Sequence, residues 1–142
     1  MEWKEFSESK IEYPERIVEN MTEGFTKAAK GLAELSTVAL RDVQQITSGL
    51  STDFQYALYL KSDMVPEYRL KVLTFGYDVE LMPVKIVLNN DIAEELHGKK
   101  LDRGDNISID TEEKFREYLS SVFRSNHFVN VVSGLLKLAQ KK

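Results

Sequence analysis

The chain contains no cysteine, which excludes disulfide staples, zinc–thiolate sites and thiol nucleophiles and fits a reducing compartment. Histidine is nearly as scarce. His97 and His127 are the only two, far apart and without a paired-ligand spacing such as H-x-x-x-H. No 18-residue apolar run occurs, so no membrane span is expected. The start, Met1-Glu2-Trp3-Lys4-Glu5, lacks the basic flank and apolar run of a secretory leader, which predicts a cytoplasmic protein. There is no G-x-x-x-x-G-K-[ST], no G-x-G-x-x-G and no G-x-S-x-G, so the common phosphate-loop, dinucleotide and nucleophile-elbow signatures are missing. The three prolines each suit a local role: Pro14 opens a helix, Pro66 lies in a turn, and Pro83 confines its strand to an edge or bulge.

What remains is ordinary for one globular domain: 142 residues, 42% hydrophobic and 30% charged. The net charge of −4 is local. Residues 1–23 hold seven glutamates against Lys4, Lys10 and Arg16, and the remainder balances at 16 acidic and 16 basic residues. Such an acidic stem disfavours nonspecific nucleic-acid binding, which depends on neutralising phosphates.

The strongest pattern runs from Pro14 to Gly49. Val18, Met21, Phe25, Ala28, Leu32, Leu35, Ala39, Val43, Ile46 and Leu50 recur every three or four residues, one face of a helix. This spacing predicts a long helix over 14–49, continuous or gently bent, with a kink at Gly31 as the alternative. At 1.5 Å per residue it would run about 50 Å, well beyond a domain whose radius of gyration is about 14 Å. Such a helix would need a partner. The acidic lead over 1–13, with Trp3, Phe6, Ile11 and Tyr13, reads as an N-terminus tied down by its aromatics; a partner-docking arm is the other reading.

Three alternating segments follow: Phe54 to Lys61, Tyr68 to Phe75 and Val79 to Leu88, joined by turns at Asp63 to Pro66 and Gly76 to Asp78. They predict an antiparallel meander with Leu58, Leu60, Leu70, Val72, Val84 and Ile86 on the helix-covered face. Asn90 or Asp91 caps a short helix ending before Gly98, and Ile107 and Ile109 suggest a short fourth strand. Asp110 to Glu113 reads as a capping box, and Ser125-Asn126 separates two last helices. The final one, rich in Phe128, Val129, Val131, Val132, Leu135, Leu136 and Leu138, should be largely buried. The expected class is α+β: a long N-terminal helix, a three- to four-stranded antiparallel sheet over 54–109, and a helical part over 110–142, all in a single domain. The helix pair from Asp110 to Gln140 resembles the C-terminal end of small bacterial proteins, and that resemblance implies no activity.

No chemistry rises above the ordinary reading of its residues. Asp102 to Glu113 can be laid on a calcium loop, but Ile107 stands where glycine is needed and Gly104 supplies no ligand. Arg103-Gly104-Asp105 is most simply a turn, and the sequons at Asn20 and Asn106 lack a secretory context. Lys61, Arg69, Lys71 and Lys85 beside Tyr59 form a basic strand face, balanced by Asp63, Glu67, Asp78 and Glu80 and so read as solvated. Asp78 and Glu80 lack the lysine spacing of a metal nuclease.

The expected function is therefore a non-enzymatic protein–protein interaction module that self-associates, as a two-fold dimer, through Phe25, Ala28, Leu32, Leu35, Leu135 and Leu136. One alternative is an enzyme, hydrolase or nuclease, assembled from sequence-distant carboxylates with His97 or His127. Another is an acidic inhibitor or immunity-type protein that occupies a basic partner. No cofactor, metal, nucleic acid or membrane is expected as a partner.

Overall fold

Among the described residues a five-stranded antiparallel meander, its strands paired in chain order, organises the molecule. The computed structural model describes residues 1–65, 68–101 and 105–141. The elements are α1 (Pro14–Thr22), α2 (Phe25–Ala28), β1 (Glu34–Ala39), α3 (Val43–Thr47), β2 (Phe54–Lys61), β3 (Arg69–Tyr77), β4 (Val84–Leu88), α4 (Asn90–His97), β5 (Ile107–Ile109), α5 (Glu112–Phe123) and α6 (Asn126–Ala139). The α+β class expected from the sequence is present, with one more strand and a different N-terminal third.

The long helix does not form. Its residues divide into α1, α2, β1 and α3. The backbone turns left-handed at Gly24 (φ 85°) and Gly31 (φ 75°), where a missing Cβ removes the steric penalty. Beyond them, Glu34 to Ala39 pair residue for residue with Lys61 to Tyr56 of β2. Leu35 and Ala39 thus share a face through strand alternation, with Thr37 between them, and not through helical spacing. Val43 and Ile46, expected on the apolar stripe, are 69% and 83% exposed.

The central ladder joins β2 to β3, with a register break between Leu58 and Tyr59. Leu58 faces Leu73 while Tyr59 faces Lys71, which leaves Val72 as the extra residue of a bulge. Both Val72 and Leu73 are consequently buried. β3 runs on to Tyr77, so the turn expected at Gly76 to Asp78 begins two residues late. Val79 to Pro83 precede β4 and are not strand. Leu58, Leu60, Val72, Val84 and Ile86 pack with Ile17, Val18, Ile92, Phe115, Leu119, Phe128 and Leu135 in one core, as the alternation predicted. Leu70 packs against that core half-buried, and Arg69 and Lys71 are exposed on the other face.

Side chains cap α4, α5 and α6. The Asn89 side chain, and not Asn90 or Asp91, accepts from the backbone N–H groups of Asp91 and Ile92 at the start of α4. Thr111 caps α5 through the Lys114 N–H, so the expected box led by Asp110 lies one residue off. Ser125 caps α6 as expected. That last helix is less buried than its composition suggests: Phe128 and Leu135 are inside, whereas Val129 and Leu138 are 46% and 47% exposed. The lead is not tied down either. Trp3 and Phe6 are 74% and 82% exposed and touch each other, with ring centroids 6.3 Å apart. Pro66, Glu67, Asp102, Arg103 and Gly104 lie outside the described residues, and with them part of the 63–66 turn and of the calcium-loop and Arg-Gly-Asp matches.

The outer face of the sheet is half covered by the segment from Leu40 to Asp53. Gln55 is buried there, its amide donating to the Leu50 carbonyl and its oxygen 2.6 Å from Ser48 Oγ. Gly76 lies under this segment, and a Cβ on it would meet Thr52 Oγ1 and stand 2.8 Å from the Phe54 carbonyl oxygen. Gly134, on α6, has open space around it. Gly76→Ala should therefore destabilise the fold by about 1–3 kcal/mol, while Gly134→Ala should stabilise it by about 0.5–1 kcal/mol. Urea denaturation of the two variants checks both signs.

Candidate functional site

Two constellations stand out, one polar and one apolar. The polar one ties the first helix to the sheet. Glu15, in the first turn of α1, accepts hydrogen bonds from Tyr56 (2.9 Å) and Tyr77 (2.7 Å). Register places the two tyrosines on one face: Tyr56 opposite Phe75, and Tyr77 opposite Phe54. Their rings stack 6.3 Å apart at 8°. Burial, then the carboxylate of Glu15, pushes the Tyr77 hydroxyl far above its ordinary range, and Tyr56 moves the same way for the same reasons. A protonated pair clamping a carboxylate holds position; it supplies neither nucleophile nor base near neutrality.

The histidines also serve local contacts. His97 Nε2 lies 2.9 Å from the Tyr118 hydroxyl, with the rings stacked. His127 Nε2 lies 3.7 Å from Asp91. Glu95 accepts from the backbone N–H groups of Asn126 (2.6 Å) and His127 (2.9 Å), a carboxylate seated on the N-terminus of α6. Among the described residues no group of three or more histidine, aspartate or glutamate side chains is placed to hold a metal ion.

The apolar constellation is a groove of about 450 Å³ between the α1–α2 corner and α6. Met21, Phe25, Ala28 and Leu35 form one wall, and Phe123, Phe128, Val129 and Val132 the other. Phe128 packs against Phe25 (6.0 Å between centroids) and Phe123 (5.5 Å). Of the residues named as interface in the sequence, the structure brings Phe25, Ala28 and Leu35 to this groove. Leu32 borders a separate hollow beside Ser62, Leu135 belongs to the core, and Leu136 is half-buried against it. Val129 and Val132 line the groove as well, outside the expected set; the excess of apolar positions around the last helix is the sequence signal that points to them.

The basic strand face survives only in part. Arg69 lies over the Tyr59 ring, 3.6 Å from its centroid, and Lys61 is paired with Glu34 at 3.2 Å. Lys85 donates to Ser108. No protein-family model matches the chain, and no curated protein or solved structure matches it either. Among the described residues no helix is long and apolar enough to cross a membrane.

The tyrosine clamp has a pH signature. A hydroxyl whose folded pKa is raised contributes stability that is fully present below the unfolded value near about 10 and is lost as pH rises beyond it. The urea midpoint should hold to about pH 9 and fall above about pH 10. Tyr77→Phe should lower stability at pH 7 by about 1–2 kcal/mol and make the alkaline fall shallower. Tyr56 and Tyr118, whose hydroxyls burial also raises, retain the rest. An equally steep fall in the variant would overturn the assignment.

Proposed function

We propose that this protein is a non-enzymatic protein–protein interaction module that self-associates as a two-fold dimer, with the groove between α1–α2 and α6 in the contact surface. The groove carries this reading. It gathers apolar side chains from both ends of the chain, and its rim, Ala28 and Val129, is exposed. Its polar side chains are Thr22, Glu23 and Ser133, and the Thr22 hydroxyl already donates within α1, to the Val18 and Glu19 carbonyls. Such a lining fits apolar side chains better than a small ligand that needs orienting. The catalytic alternative has less support, because Glu95 caps a helix and Glu15 is held by two tyrosines.

Closed two-fold association is the commonest outcome for identical chains. Light scattering at micromolar concentration should give about twice the chain mass of 16.3 kDa. Val129→Asp, at an exposed position, should keep the circular dichroism spectrum and weaken association about tenfold or more, since it desolvates a charge against the groove. A parent mass of one chain at every concentration would remove the reading.

A further inference from the structure

We infer that the free edge of β1 is a self-pairing edge, joining a second copy's β1 in antiparallel register centred on Thr37. The inference rests on the self-association reading and names the surface and geometry.

The backbone sets the register. The Leu40 N–H donates to the Gln55 carbonyl at 2.9 Å and continues the ladder that pairs Ala39 with Tyr56. Antiparallel pairs alternate between hydrogen-bonded and non-hydrogen-bonded. Glu34, Ser36 and Val38 therefore turn their backbone groups toward β2, and Leu35, Thr37 and Ala39 turn theirs outward. β1 is the first strand of the sheet, and among the described residues no backbone hydrogen bond reaches that outward row.

Edge strands are normally guarded by lysine, proline, a bulge or a covering segment. Residues Glu34 to Ala39 contain no lysine or proline, and their pairing with β2 runs without a break. The single charge, Glu34, is drawn back across the sheet by Lys61. Val38 is 38% exposed on the outer face.

A second copy fits this edge by parity. Hydrogen bonds form only where outward residues oppose outward residues. Placing Thr37 opposite the partner's Thr37 sets Leu35 opposite the partner's Ala39 and satisfies all three outward residues of each strand. A one-residue shift opposes outward to inward residues; a two-residue shift loses an end of the ladder. The same register puts Glu34 opposite the partner's Leu40, which keeps the two glutamates about 20 Å apart along the strands. Leu35, Thr37 and Ala39 lie on the helix face in both copies, so the helical layers fall on one side of a ten-stranded sheet. Leu35 also lines the groove, so the edge strand borders it.

The absence of cysteine allows a direct test. In this register Ser36 opposes the partner's Val38 in a non-hydrogen-bonded pair, with Cα atoms about 4.5 Å apart, within disulfide range. Like residues, Ser36 with Ser36 or Val38 with Val38, lie about 8 Å apart, outside it. An oxidised mixture of Ser36→Cys and Val38→Cys should give a mixed disulfide dimer by mass spectrometry, and neither variant alone should. Thr37→Pro removes an outward N–H and none that faces β2. It should leave the circular dichroism unchanged and weaken dimerisation at least about tenfold. A parent that is dimeric by light scattering yet gives no mixed disulfide overturns the edge and leaves self-association standing. A parent that is monomeric throughout, with no cross-link, removes both. Equal linking in the single variants overturns the register.

Discussion

Everything in this molecule hangs on the ladder between β2 and β3. It is the longest pairing in the sheet, and β1 and β4 add to its two sides. Its bulge at Val72 turns two consecutive β3 side chains, Val72 and Leu73, into the core. A bulge resets the alternation beyond it. Phase is thereby set for Phe75 and Tyr77, and Tyr77 reaches the face where Glu15 can accept its hydroxyl. The bulge thus supplies one of the two hydroxyls that hold α1; the other, Tyr56, comes from β2.

The helical layer over this sheet is uneven, and that unevenness produces the groove. α2 is a single turn of four residues, too short to present a full apolar stripe to β1. Its corner leaves Leu35 half-buried on one side and the Val129–Val132 face of α6 open on the other. Charge is handled economically elsewhere: Glu95 seats on the α6 N-terminus and Glu15 on two hydroxyls, so both carboxylates hold elements together.

The sheet and the C-terminal helices were legible because their signals were local and agreed with one another. Strict alternation in Phe54 to Lys61 marked β2, and Ile107 with Ile109 marked β5. Ser125 marked the start of α6. The N-terminal third was misread because Leu35 and Ala39 are four apart, a spacing that satisfies a helix and, with Thr37 between them, one face of a strand. The two glycines that break the segment were visible, and Gly31 was weighed as a kink. A kink still leaves helix on both sides, and what replaced it was a strand. The apolar residues expected at a contact surface are divided by the packing. Phe25, Ala28 and Leu35 meet at the groove, whereas Leu135 is 3% exposed and belongs to the core.

By itself the sequence determined the class, the meander and the face of the sheet that is buried, because side-chain polarity at period two fixes which face meets helices. It also determined the chemical poverty of the chain: no thiol, two separated histidines, no phosphate loop. The tertiary structure decided that residues 34–39 are strand, since six residues commit to a ladder only when a partner strand such as β2 supplies their hydrogen bonds. It decided which apolar residues became core and which became groove, since that depends on how far α2 and α6 reach over the sheet. Spacing along a chain records which side chains share a face; only packing records what that face meets.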